Sequence, residues 1–359
     1  MSLKTLILEQ SYENLLESLI HVATSNGHLY VEPTPIISPF WNTTFTPSST
    51  EVVFRGLEEK PFPDTKTYTV QPCIRINDLP YLSDGWHCLL FHMVSFFLLQ
   101  VENFEDTLEA SLQGIIQATN LKLSDFHFTV STNPHLPNIS QGEGLGFSLL
   151  QKFGVSEKNI ILNSGSDNYQ NHPPHNTGDK KVVSMAGPKI EIYIRFPDEA
   201  RLYEVATCLL GTGWQNQEVL GNAFAFAIGL ERISAIAERK LFIHDMPNHT
   251  KLITNLSSSL LHPSMANTSL GREAISRLLM IVDGLALITP HVLIGKHDRG
   301  IINHYRRVVR ELARTLKSLG VSLTSFYRAL SGSLDKDIEV SLDSKFLRSQ
   351  IAEDYSEYI

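Results

Sequence analysis

Residues 221–240, GNAFAFAIGLERISAIAERK, constrain the fold of this chain more than any other stretch. Ala223, Phe224, Ala225, Phe226 and Ala227 alternate small and aromatic side chains, the period of a strand. From Ile228-Gly229-Leu230-Glu231-Arg232 onward the apolar residues take a helical spacing, so the strand runs directly into an amphipathic helix. Arg232 therefore stands where the strand gives way, with Gly229 three residues earlier leaving the backbone bare for a flat ligand. A fixed guanidinium beside a bare strand suits the phosphates of a nucleotide lying on a sheet. The competing reading of the same residues is a buried strand with a structural Arg232–Glu231 ion pair.

Residues 71–93, QPCIRINDLPYLSDGWHCLLFHM, carry a second signal. Arg75 ends a strand, a polar turn holds Asn77, Asp78 and Asp84, and the chain returns through Phe91-His92-Met93. Such a hairpin puts a cation on one arm and an aromatic ring on the other: one can hold a phosphate oxygen while the other stacks on a base. Glu191 in GPKIEIYI and Glu204 in RLYEVAT are acids within otherwise apolar strands. Carboxylates there are costly unless they meet a cation, and magnesium with phosphates is a suitable one; exposure on a solvated sheet face is the alternative.

The chain has 359 residues, 42% of them hydrophobic, enough for a large core and two domains. Its net charge of −8 argues against a protein that coats nucleic acid nonspecifically. The three cysteines, Cys73, Cys88 and Cys208, are too widely spaced for a disulfide framework or a CxxC zinc site. His172-Pro173-Pro174-His175 has no third ligand nearby and reads as a surface loop. The longest apolar run considered, Leu89 to Val101, is interrupted by His92 and Gln100, so no membrane span is expected. With no secretory signal at the N-terminus, the expected compartment is the cytoplasm. Between Lys296 and Lys317 the basic residues Arg299, Arg306, Arg307, Arg310 and Arg314 alternate with Val308, Val309, Leu312 and Leu316. This makes a helix with one basic and one apolar face, either a solvated surface or a phosphate-backbone contact.

The coarse pattern predicts a helix over 3–24 ending at Asn26-Gly27, a proline-rich passage, and strands at 67–76, 125–131, 158–163, 189–196 and 201–210. Helices are expected at 104–121, 146–153, 269–289, 300–319 and 322–331, with a further charged one toward the terminus. Residues 88–100 are an apolar, aromatic segment, 164–180 a polar loop, and Met246-Pro247-Asn248 a linker. Strands first and helices afterwards predict an α+β architecture: an antiparallel sheet flanked by helices over 1–246, then an all-helical domain over 247–359.

Taken in order, these motifs resemble those of alanyl-tRNA synthetase, a class II aminoacyl-tRNA synthetase, over nearly the whole chain. GHLYVEPTPIISP and WNTTFTPSSTEVVFRG resemble its first motif region, and QPCIR, NDL and HCLLFHM its second. GPKIEIY resembles the family's GPCSEIFY segment and YEVAT stands where the family has EIWN. IGLERI resembles the third motif. NTSLGREAISRLLMIVDGLALI and GKHDRGIINHYRRVVRELA resemble its helical tRNA-recognition region. FAFAIGLER is also similar to phenylalanyl-tRNA synthetase, whose helical half does not match.

The resemblance implies a six-stranded antiparallel sheet holding bent ATP, with an amino-acid carboxylate attacking the α-phosphate to give an aminoacyl adenylate. It assigns Arg75 and Arg232 as the catalytic pair. ATP would be bound by these two with Asp78, Phe91, Glu191 and Glu204, the two glutamates through Mg2+. Met93, Thr207, Ala225, Ala227 and Gly229 would line the amino-acid pocket. Asn267, Arg306, Arg307 and Arg310 would meet a tRNA acceptor stem or another acceptor, and a homodimer fits the family. The chain departs from the pattern in its short Arg75-Ile76-Asn77 turn, at His92 and at Ala206-Thr207. It departs also at Ala225, where the family places the aspartate that receives the substrate's ammonium. Transfer to a non-tRNA acceptor, or a catalytically silent binding protein, are the competing functions.

Overall fold

The computed structural model describes residues 10–37, 44–52, 66–99, 104–131, 145–163, 168–176, 182–196, 201–215, 218–240, 243–266, 268–294, 299–330, 349 and 351–352. In chain order the elements are α1 (Gln10–Ser25), β1 (Leu29–Tyr30), β2 (Thr67–Ile74), β3 (Leu90–Leu99), α2 (Phe104–Thr119) and β4 (Phe126–Ser131). Then come α3 (Leu145–Lys152), β5 (Ile160–Asn163), β6 (Tyr169–Asn176), β7 (Val182–Ile194), β8 (Tyr203–Gln215) and β9 (Glu218–Gly229). The rest is helical: α4 (Leu230–Ala237), α5 (Pro247–Leu260), α6 (Pro263–Ala266), α7 (Ser269–Ile294), α8 (Arg299–Ser318) and α9 (Leu323–Leu330). This is an antiparallel sheet flanked by helices with a helical part behind it, as the pattern of the chain predicts.

Six consecutive strands, in the order β2-β3-β9-β8-β7-β4, pair antiparallel. The sheet also has parallel outer strands, β1 on β2 and β5 on β4, and β6 pairs with β7. Its two faces follow from register. Thr69, Ser95, Ala227, Thr207, Glu191 and Thr129 form one transverse row. The next row is Val70, Val94, Ile228, Ala206, Ile192 and Phe128. The second row is buried beneath Tyr12, Leu15 and Leu19 of α1, Leu108 and Leu112 of α2, and Ile233 of α4. Burying a side chain of this size contributes about 1.5–3 kcal/mol, so this face determines how the sheet sits on its helices. The first row, with the small residues of β9, faces the other way.

A second core joins Ile74, Leu79, Leu82, Leu89 and Leu90 to Ile253 and Leu256 of α5, Leu278 and Leu285 of α7, and Val308 and Leu312 of α8. The helical part thus grips the short 3-10 segment Ile76–Asp84 between β2 and β3. Arg277 of α7 ties it directly, donating to Leu79 O at 3.1 Å and to Glu311 at 2.7 Å.

Several expectations are revised. Within 164–180, Tyr169–Asn176 is strand β6 rather than loop, with its register shifting between His172 and His175. Two prolines are tolerated because, among the described residues, β6 pairs with β7 alone and bulges where they fall. Met246-Pro247 starts α5 instead of being an irregular segment: Pro247 takes the first helical position, where its missing N–H costs nothing. Helix α7 is long and apolar enough to cross a membrane, which the reading of Leu89–Val101 overlooked. Yet 78% of its most apolar window is buried inside the protein. Residues 1–9, Asn267 and most of the C-terminal charged segment lie outside the described residues.

Candidate functional site

The open face of β9 is made of the half-buried Ala225, Ala227 and Gly229, because the alternation that buries Phe224, Phe226 and Ile228 leaves only small side chains opposite. A cleft of about 550 Å³, its solvent-filled mouth included, opens over Ala227 and Gly229. It is bounded by Arg75 between β2 and the 3-10 segment, Asp78 within that segment, Phe91 and Met93 from β3, Glu204 and Thr207 from β8, and Arg232 from α4. These residues come from four separate parts of the sequence. Ala225 and Glu191 do not line it: Ala225 lies two residues further along the same face, and Glu191 one strand further out, opposite Thr207.

The two arginines are held differently. The Arg75 guanidinium lies over the Phe91 ring, 4.7 Å from its centroid, and its Nε donates to Pro47 O at 2.9 Å. This follows from the β2–β3 register, in which Cys73 pairs with Phe91 and brings the end of β2 beside the ring. Arg232 sits in the first turn of α4, its guanidinium 5.6 Å from the Trp86 ring centroid. It donates to Trp86 O at 3.4 Å and to both the carbonyl and the carboxylate of Glu204 at 3.3 Å.

Glu204 reaches this face through an irregularity. Strict alternation from Thr207 would send Glu204 to the buried side. In β8, however, Ala206 pairs with Ile192 and Glu204 with the very next residue, Tyr193, so Val205 is an inserted residue, a β-bulge. The bulge returns Glu204 to the cleft, where it also accepts a hydrogen bond from Thr207 Oγ1 at 3.3 Å. Glu191, on the same face, accepts from Lys189 Nζ at 2.5 Å and from Tyr193 OH at 2.7 Å.

Glu231 is not the partner of Arg232. It turns to the buried side, 4% exposed, and accepts from the backbone N–H of His92 at 2.9 Å with His92 Nδ1 at the same distance. The ion pair considered from the sequence is therefore replaced by two separate contacts, a hydrogen bond of Glu231 with His92 and an ion pair of Glu204 with Arg232. Burial raises the Asp78 carboxyl above its ordinary value, against the pull of Arg75, His87 and Arg232. The Cys88 thiol, buried in the cleft wall, is pushed up for the same reason.

Trp86, the platform under Arg232, and His304 were missed from the sequence. Past Arg75 and Asp78 a second hollow continues, bordered by Thr44, Phe45, Asn77 and His304 of α8, with His304 Nδ1 hydrogen-bonded to Thr44 Oγ1. Only the DGWHC wording near Trp86 could have flagged that residue; nothing local flags His304. Arg306, Arg307 and Arg310 are exposed along α8. Among the described residues no group of three or more His, Cys, Asp or Glu could hold a metal ion.

No family model matches the sequence, and no curated protein does. Solved structures similar to it are class II aminoacyl-tRNA synthetases at low identity. One is an apo histidyl-tRNA synthetase of S. aureus, at 11% identity and TM-score 0.42 over 65% of this chain and 72% of that one. Another is a pyrrolysyl-tRNA synthetase of Desulfitobacterium hafniense, at 14% and 0.37 over 65% and 71%. A third is asparaginyl-tRNA synthetase from Pyrococcus horikoshii complexed with asparaginyl-adenylate, at 10% and 0.38 over 67% of each chain. None of the three is an alanyl enzyme.

Proposed function

We propose that the cleft activates a carboxylic acid with ATP, forming an acyl adenylate and pyrophosphate, and passes the acyl group to an acceptor. The observation that carries this reading is the convergence of Arg75 and Arg232 on one cleft over a sheet face bared by Ala227 and Gly229. Each guanidinium is braced by an aromatic ring. In-line displacement at phosphorus needs little acid–base chemistry, so positioning and charge neutralisation do the catalysis.

Arg75 is assigned to the α-phosphate, with Phe91 as the base platform and Asp78 at the site's edge. Arg232 is assigned to the outer phosphates, which would draw it from Glu204. Met93, Thr207, Ala227 and Gly229, with Ala225 beyond them, form the acyl pocket. The donor set fits magnesium, since the Val205 bulge brings Glu204 onto the face that carries Glu191 and both supply hard oxygens. Bound there with ATP, the ion would offset phosphate charge. The acceptor reaches the adenylate from the hollow beside His304. The exposed Arg306, Arg307 and Arg310 favour a tRNA acceptor stem, and alanyl-type charging is the form the sequence resembles. A cytoplasmic homodimer with 1–246 as activating unit and 247–359 as helical unit completes the proposal.

Acid-dependent exchange of labelled pyrophosphate into ATP tests it, screened over carboxylic and amino acids with and without tRNA. Exchange lowered about a hundredfold or more by Arg75→Ala or Arg232→Ala is expected; undiminished exchange in both variants refutes the assignment. Exchange without tRNA charging points to another acceptor.

A further inference from the structure

We infer that the acid activated here carries no ammonium beside its carboxyl group. It is an aryl, alkyl or 2-hydroxy acid rather than an α-amino acid. The inference rests on the adenylating reading above and narrows its substrate class.

Among the described residues, three carboxylates line the cleft: Asp78, Glu204 and Glu231. Glu231 is committed to His92, on the buried side of the sheet, through contacts of 2.9 Å. Glu204 is paired with Arg232 at 3.3 Å and accepts from Thr207; once phosphates draw Arg232 away, the magnesium assigned above takes its place at this carboxylate. Asp78 lies in the field of both Arg75 and Arg232, the groups that ATP's phosphates require. An ammonium placed there would be pressed against two guanidinium charges. The acyl pocket itself is neutral: Met93, Thr207, Ala227 and Gly229, then Ala225 further along the same face. Glu51 is fully buried and does not line the cleft. Glu191, on the same face, is held by Lys189 at 2.5 Å and stands outside the cleft.

A desolvated ammonium in this pocket would therefore meet no carboxylate of its own among the described residues, and an uncompensated buried charge is strongly disfavoured. A neutral substituent meets no such obstacle, and the Thr207 hydroxyl can hydrogen-bond one. The chemistry balances without it. A carboxylate oxygen of the acid bonds to the α-phosphorus as the bond to the bridging oxygen breaks. Pyrophosphate leaves with that electron pair, and no proton is transferred.

The test is pyrophosphate exchange on the full chain with matched pairs, each standard amino acid against its 2-hydroxy and its deaminated counterpart. For the side chain that supports exchange, the hydroxy or deaminated acid should exceed the amino acid in kcat/KM by about tenfold or more. Ala225→Asp, and separately Thr207→Asp, place a carboxylate on the neutral face and should move that ratio toward the amino acid. An amino acid preferred over its counterparts by the unaltered protein overturns the inference while leaving adenylation standing. Exchange with no acid of either kind overturns both.

Discussion

His92 Nδ1 and Glu231 Oε1 lie 2.9 Å apart at the buried root of the site, joining positions 139 residues apart in the chain. Each is the immediate neighbour of a cleft residue: Phe91 precedes His92, and Arg232 follows Glu231. Tyr12 OH of α1 also reaches Glu231 at 3.5 Å, so helix α1, strand β3 and helix α4 meet at one carboxylate. Burial, with Glu231 beside it, pushes the Tyr12 hydroxyl well above its ordinary pKa, so it stays a donor. The geometry of the two functional arms is thereby set from behind the sheet.

Glu231→Ala should therefore be costly in stability. It leaves the buried His92 N–H and ring without their acceptor, a loss of about 1–3 kcal/mol for buried polar groups left unpaired. Urea unfolding followed by tryptophan fluorescence measures this, and Glu231→Gln, which keeps an acceptor, should lose less. Equal losses in the two would show that packing, not the hydrogen bonds, dominates.

A second prediction concerns backbone approach. A Cβ on Gly187 of β7 would collide with Gly211 Cα and come within 2.5 Å of Leu210 O on β8. Backbone cannot swing aside as a side chain can, so Gly187→Ala should cost about 1–3 kcal/mol of overpacking strain. Thermal unfolding should register the loss. Gly154→Ala provides the contrast, since a Cβ there meets nothing within 4 Å and only its φ of +92° resists the change.

Acid should weaken the turn that carries Trp86. Burial would raise the Asp84 carboxyl, but hydrogen bonds from the His87 ring and from the His87 and Trp86 backbone outweigh it and bring its pKa to about 2. The folded value lies below the ordinary one of 3.8, so the stabilisation is present above pH 4 and lost as pH falls toward 2. With part of the group in water, the effect is on the order of 1 kcal/mol. Asp84→Asn should flatten this limb of the stability curve, and an unchanged slope between pH 4 and pH 2 would contradict the assignment.

Lys189 competes with any cation for Glu191, to which it is bound at 2.5 Å. Lys189→Met should release that carboxylate. If magnesium is shared by Glu191 and Glu204, its half-saturating concentration in the exchange reaction should fall by about threefold or more. A magnesium titration that does not shift would remove Glu191 from the metal assignment.

Alternation over 223–229 made both the strand and its two faces legible, because a period of two can be read locally. The strand-to-helix junction at Arg232 and the Arg75–Phe91 hairpin were legible for the same reason, each depending on neighbours in sequence. Pro247 misled, since a proline that opens a helix and one that interrupts a chain look alike without the turn that follows. Pro173 and Pro174 misled likewise, as the edge position that tolerates them is a property of the sheet.

What the sequence determined by itself is periodic and short-range: which segments are strands, which face of β9 is bare, and which cations stand at strand ends. The tertiary structure decided which acid meets which base. Glu231 chose His92 over its neighbour Arg232 because adjacent residues at the start of a helix point to different sides. Glu204 joined the cleft because the extra residue Val205 shifted the phase of its strand. Such pairings depend on distances between segments far apart in the chain, and no local pattern encodes them.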